Sequence, residues 1–147
     1  MKLIIFAIML FGVSTLCFSK GNIFVEGKDK LPIKAQNFIN YSFGAERIVY
    51  VKESRSIFLR KKFLAVFSNG MKIEFDSRGN WVDIKFVKDG LPNNIVSQKI
   101  LDYLKENYVS AFILELEKMS RNMLRVLLSN KRELYFNQFG DRVFIDV

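Results

Sequence analysis

The sequence predicts an α+β domain: two tandem helix-plus-four-strand repeats forming one curved antiparallel sheet, with helices on one face. Three observations predict it. Short blocks recur in the same order: Leu31-Pro32 as Leu91-Pro92, residues 43–48 as 108–113, Ser68-Asn69-Gly70 as Ser129-Asn130-Lys131, and residues 73–79 as 134–140. Ordered self-similarity of this kind marks a duplicated supersecondary unit. Between turn-forming clusters, apolar residues alternate at period two, the signature of half-buried strands. The strands also follow one another across short turns, which makes neighbours antiparallel.

The chain opens with Met1-Lys2, an apolar run from Leu3 to Phe11, and small residues up to Ser19, the order of a secretory signal peptide. The run is shorter than the roughly 20 residues a membrane span needs. Residues 1–19 are therefore expected to be removed after Ser19, with no stable membrane span left. A lipidated Cys17 and an uncleaved anchor are the alternatives. Export places the chain in the periplasm or outside the cell. Residues 20–30 read as a flexible leader remnant, residues 31–90 as the first repeat and residues 91–147 as the second.

Each repeat begins at a Leu-Pro pair, because proline suits the first turn of a helix, where no backbone donor is lost. In the first helix Ala35, Phe38, Ile39 and Phe43 share a face; in the second Ile95, Ile100, Leu101, Leu104 and Tyr108 recur at helical spacing. Strands are predicted over 48–52, 63–68, 71–76 and 81–87, then over 112–119, 123–129, 132–137 and 142–147. Asn69-Gly70 suggests a type I′ hairpin, whose two central residues need positive φ. In the second copy Lys131 takes the place of that glycine and Asn137 the place of Asp76.

Alternation assigns the faces. Val49, Val51, Phe63, Ala65, Phe67, Met71, Ile73, Phe75, Val82, Ile84 and Phe86 fall on one side, with Leu114, Leu116, Leu124, Val126, Leu128, Leu134, Phe136, Val143 and Ile145 from the second copy. This nearly all-apolar side is the one the helices cover. The other side carries charged residues interspersed with Tyr50, Leu64, Val66, Trp81, Ile113, Leu127, Tyr135 and Phe144. An antiparallel sheet commonly has one covered and one wet face.

Composition excludes much chemistry. Histidine is absent and the one cysteine, Cys17, lies in the leader. The commonest general base, thiolate chemistry and thiolate metal sites are thereby removed. Glu115 and Glu117 alternate to the wet face and read as a solvated pair. Residues 76–80 have calcium-loop residue types but lack the length and the closing acid, and read as a turn. No phosphate loop, nucleophile motif or cofactor motif is present, so no enzyme activity, cofactor or metal is expected. The net charge of +8 comes from 23 basic and 15 acidic residues spread along the chain. With export, that spread argues against a nucleic-acid partner.

The combination of Ser68-Asn69-Gly70, the run to Phe75-Asp76, Gly79-Asn80-Trp81 and a second Leu-Pro unit resembles the PepSY-like, beta-lactamase-inhibitor-like periplasmic proteins of Bacteroidota, over residues 31–147. The resemblance implies two tandem helix-and-strand units in one sheet, and protein binding on the sheet's concave side. It does not imply inhibition of a beta-lactamase, since fold does not fix function.

The functional expectation is a non-enzymatic binding module for a protein partner. The candidate face comprises Tyr50, Leu64, Val66, Trp81, Ile113, Arg125, Leu127, Tyr135 and Phe144, because exposed apolar and aromatic patches mark interaction sites. The alternative is a binder of an anionic envelope component, lipid or polysaccharide, drawn by the positive charge.

Overall fold

The computed structural model describes residues 23–25, 27–55, 60–87, 91–92 and 94–144. The predicted leader, with Cys17, and the predicted end of the last strand, with Ile145, lie outside the described residues.

Nine strands form one sheet in strict sequence order, and every neighbouring pair is antiparallel. They are β1 (Ile23–Val25), β2 (Ile48–Arg55), β3 (Lys61–Phe67), β4 (Lys72–Asp76), β5 (Trp81–Lys85), β6 (Ile113–Lys118), β7 (Leu124–Leu128), β8 (Glu133–Phe136) and β9 (Arg142–Val143). Helix α1 (Ile33–Phe43) joins β1 to β2, and α2 (Gln98–Asn107) joins β5 to β6. Each helix is thus followed by four strands. The span read as a leader remnant carries β1, paired to β2, and a 3-10 turn at Lys28–Lys30.

Both helices cover the same side. Ala35, Ile39 and Phe43 of α1, and Ile100 and Leu104 of α2, are buried at i, i+4 spacing. They join one core with Val51, Ala65, Phe67, Ile73, Phe75, Ile84, Leu116, Val126, Leu128, Leu134 and Phe136. Full burial of the valine, leucine, isoleucine and phenylalanine side chains among them stabilises the fold by about 1.5–3 kcal/mol each. No polar or charged residue is fully buried among the described residues, although Asp83 Oδ1 and Arg142 Nε are individually shielded without a hydrogen-bond partner.

The duplication extends to ring contacts. Phe38 meets Phe75 edge-on at 6.1 Å and lies 5.9 Å from Phe43. In the second repeat Tyr103 meets Phe136 edge-on at 5.6 Å and lies 6.2 Å from Tyr108. Each repeat also docks a turn glycine on the start of its own helix. A Cβ on Gly79 would come within 2.9 Å of the Ala35 nitrogen and 3.0 Å of Pro32, and one on Gly140 within 2.8 Å of Ser97 Oγ. Both glycines have φ +80, a conformation that side chains disfavour.

Beyond the ordered β1 in the span expected to be flexible, structure and sequence expectation differ in three further places. Pro32 does precede α1, but Leu91-Pro92 lies upstream of α2, and Ser97 precedes the first helical residue. Buried Val96 fills the position that buried Leu31 fills in the first repeat. The Leu-Pro repetition therefore runs five residues out of step with the structural one.

The Asn69-Gly70 turn is not type I′. Only Gly70 has positive φ, and Asn69 Oδ1 accepts from the Met71 amide within a three-residue loop. Such a loop places a left-handed residue third, beside a bulge. Lys131 holds the equivalent position at φ 64, and Asn130 Oδ1 accepts from the Arg132 amide. Consecutive positive φ values, the mark of a type I′ turn, occur instead at Arg121 and Asn122 in the β6–β7 hairpin.

Third, three β-bulges break the alternation. Val49 is the extra residue between Ile48 and Tyr50, Val82 the extra residue between Trp81 and Asp83, and Leu114 the extra residue between Ile113 and Glu115. A bulge sets two residues against one on the partner strand and so reverses the side-chain parity beyond it. Val49 is accordingly 53% exposed, Val82 and Leu114 are half-buried, and Ile48, Trp81 and Ile113 turn to the core.

Candidate functional site

The helix-free face is organised as two continuous cross-strand rows. In the first, successive Cα partners are Tyr50, Val66, Lys72, Lys85, Glu115, Leu127 and Glu133. In the second they are Lys52, Leu64, Glu74, Asp83, Glu117, Arg125, Tyr135 and Val143. At about 4.8 Å per strand, each row runs for roughly 30 Å. Directly opposed side chains interact across strands, so a row behaves as one surface.

Of the residues predicted for this face, Tyr50, Leu64, Val66, Arg125, Leu127 and Tyr135 lie in the rows, all half-buried. Three do not. Trp81 is the Cα partner of Phe75, stacks on Phe38 with centroids 6.3 Å apart, and stands on the helix side. Ile113 opposes Leu128 and is 8% exposed in the core. Phe144 lies beyond β9, 81% exposed, with its ring against Arg142, which opposes core residue Phe136. The bulges at Val82 and Leu114 displace the first two. For the third, the pairing Tyr135–Val143 puts Val143, and not Arg142, on the helix-free side.

The rows carry an ordered charge lattice. Arg125 Nη2 lies 2.5 Å from Glu115 Oε1, its Nε 2.8 Å from Glu117 Oε2, and its Nη1 3.0 Å from Glu133 Oε1. All three guanidinium nitrogens are thereby engaged, and the Arg125 and Glu115 side chains are only 17% and 14% exposed. Glu133 also accepts from the Tyr135 hydroxyl at 2.9 Å. Lys85 Nζ sits 3.5 Å from both Asp83 and Glu115, and Lys62 lies 2.5 Å from Glu74 on β4.

Titration follows from this crowding. Burial, opposed by Lys85 and reinforced by Glu115, pushes the Asp83 carboxyl up. The hydrogen bond to Glu133 raises the Tyr135 phenol. For Arg125, burial is outweighed by its three carboxylates, which hold the guanidinium more firmly protonated than usual.

The face is electrically divided. Strands β2 to β4 contribute Lys52, Lys62 and Lys72 against Glu74, beside Tyr50, Leu64 and Val66. Strands β5 to β8 contribute Asp83, Glu115, Glu117 and Glu133 against Lys85 and Arg125, beside Leu127 and Tyr135. Glu115 and Glu117, expected as a solvated pair, are instead bridged by Arg125, with the Glu115 side chain 14% exposed, and Asp83 and Glu133 complete the set. Their signal was present: Glu115-x-Glu117 shares one strand face, and an arginine at the opposing register is what keeps like charges together.

Among the described residues no group of three or more His, Cys, Asp or Glu is placed to hold a metal ion. Nor is any helix long and apolar enough to cross a membrane.

The family described as "Putative beta-lactamase-inhibitor-like, PepSY-like" matches residues 61–143. Solved structures share the fold along their length. A putative periplasmic protein of unknown function from Bacteroides vulgatus is 26% identical, with a TM-score of 0.77 over 86% of this chain and 100% of its own. A second putative periplasmic protein from that species is 28% identical, TM-score 0.72, covering 86% and 97%. A putative calcium-regulated periplasmic protein from Bacteroides thetaiotaomicron is 31% identical, TM-score 0.75, again covering 86% and 97%. No curated protein matches the chain. With the family match spanning β3 to β9 and relatives of this fold at up to 31% identity, the chain belongs to the PepSY-like family.

Proposed function

We propose that this protein is an exported, non-enzymatic binding module that recognises a protein partner on the helix-free face of its sheet. The observation that carries the reading is the pair of cross-strand rows, which place Tyr50 and Tyr135 on one side of the sheet with an ordered charge lattice between them. A solvated face needs charge, but it does not need half-buried Tyr50, Leu64, Val66, Leu127 and Tyr135 set among the charges. Tyrosine and arginine are favoured at binding hot spots because they offer rigid apolar area with a polar tip. Groups already fixed in the free protein lose little freedom on association. Export is supported by the leader-like first 19 residues and by the periplasmic relatives. The family's inhibitor-like description supports a protein as the partner class.

The test is capture from native envelope extract by the wild type and by a variant carrying Tyr50→Ser, Leu127→Ser and Tyr135→Ser. The wild type retains a protein that the variant loses, while the variant's melting temperature falls by only a few degrees. Equal capture by both proteins rules the face out.

A further inference from the structure

A cleft of about 380 Å³ opens on the helix side of the sheet, at the seam between the two repeats. This lies within the range of small-ligand sites, about 300–1,000 Å³. Trp81 closes it from the first repeat, Ile100 from α2, and Met119, Met123 and Leu124 from the β6–β7 hairpin. The two methionines supply an unbranched, adaptable wall suited to a flexible apolar chain.

One cation stands at the mouth of this hollow, still exposed to solvent. Lys118 is the Cα partner of Leu124, so it points to the helix side, and its Nζ lies 3.8 Å from the centroid of the Trp81 ring. Among the described residues it makes no ion pair with a carboxylate; its charged neighbours are Lys34 and, more weakly, Asp76. The Asp76 carboxylate is itself committed to the amides of Arg78 and Asn80 and to the Asn80 side chain. Desolvation, with the like charge of Lys34 second, pulls the Lys118 ammonium below its ordinary pKa. A cation with no ion-pair partner among the described residues, beside a hollow with one apolar wall and a rim of Ser97, Asn122 and Gln138, is complementary to an anion with an apolar tail.

We propose that the seam cleft binds a monomeric single-chain carboxylate of the medium-chain fatty-acid class, with its carboxylate on Lys118 and its tail against Met119, Met123 and Leu124. The proposal concerns the opposite side of the sheet from the two rows and stands independently of their reading.

Trp81 is the chain's one tryptophan, so it reports directly on the cleft. The purified protein is titrated with decanoate below its micellar range, followed by Trp81 fluorescence and by calorimetry. Both readouts saturate together. Lys118→Gln weakens binding about tenfold, the loss of roughly one charge-assisted contact, at unchanged melting temperature, while Lys118→Arg retains it. Decanol and acetate each bind at least about tenfold more weakly than decanoate. The proposal is overturned if decanoate gives no saturable signal, if Lys118→Gln binds as well as wild type, if Lys118→Arg loses binding as Lys118→Gln does, or if acetate matches decanoate. Binding to phosphatidylglycerol vesicles without binding of monomeric decanoate overturns it equally.

Discussion

Trp81 stacks on Phe38, with ring centroids 6.3 Å apart and planes 26° from parallel, and this places the tryptophan between α1 and the sheet. Phe38 also touches Phe75 edge-on, so it ties helix to sheet through two rings, and it packs edge-on against Phe43 of its own helix. Phe38→Ala is expected to destabilise the fold by about 2–3 kcal/mol, below the range for a fully buried phenylalanine because Phe38 is half-buried. The same change shifts Trp81 emission to the red as water reaches the indole. Tyr135→Ala, on the other side of the sheet, leaves the emission maximum where it is. Denaturant unfolding and emission spectra of the two variants check both statements.

Lys131 has φ 64, where its counterpart Gly70 has φ 87. A left-handed backbone costs a side chain about 1–2 kcal/mol, part of which glycine gives back through its freer unfolded state. Lys131→Gly is therefore expected to stabilise the protein by about 0.5–1 kcal/mol, and Gly70→Lys to destabilise it. Paired urea melts measure the two differences.

The docked glycines differ in what they face. A Cβ on Gly79 meets the backbone nitrogen of Ala35 and the ring of Pro32, neither of which can turn aside. A Cβ on Gly140 meets first Ser97 Oγ, which can rotate, and then Lys99 and Ile100 at 3.4 and 3.5 Å. Gly79→Ala is expected to cost about 2–3 kcal/mol and Gly140→Ala about 1–2 kcal/mol, both including the strain of positive φ. Ser97→Ala should recover part of the Gly140→Ala loss and none of the Gly79→Ala loss.

Acid and amide exchange places between the two repeats. Asp76 accepts from the amides of Arg78 and Asn80 and from Asn80 Nδ2, whereas Asn137 accepts from the amides of Phe139 and Asp141 and donates to Asp141. Burial pushes the Asp76 carboxyl up, but the hydrogen bonds from Asn80 and Arg78 outweigh it and hold the group below the ordinary aspartate range. A depressed folded pKa contributes stability above the unfolded value of about 3.9, and that stability is lost as pH falls through the lower folded value. Because Asn137 already accepts the same two amides, Asp76→Asn is expected to cost under about 1 kcal/mol at neutral pH. It removes Asp76's share of the acid dependence, so wild type and variant converge as the pH approaches 3. Urea midpoints measured from about pH 7 to 3 read this out.

The helix-and-four-strand order was legible because period-two alternation and turn residues are local signals. The wet face was legible as far as Tyr50, Leu64, Val66, Arg125, Leu127 and Tyr135. Trp81 and Ile113 were misplaced for one physical reason. An extra residue at Val82 or Leu114 alters no composition and no turn chemistry, yet it reverses every side chain beyond it. The start of α2 was missed because Pro92 imitates Pro32, while Val96 and Ser97, which do the structural work of Leu31 and Pro32, share no residue type with them. The Lys118 cleft carried no sequence signal at all, since it depends on Trp81 having crossed to the helix side.

Site-specific photo-crosslinking in the native envelope tests most directly whether the helix-free face is the recognition surface. A benzophenone side chain is placed at Tyr50 or Tyr135 in the rows, or at Tyr41 on α1, which is 80% exposed. Recognition by the rows gives the same discrete protein adduct from Tyr50 and Tyr135 and none from Tyr41. An adduct from Tyr41 alone, or from none of the three positions, would contradict it.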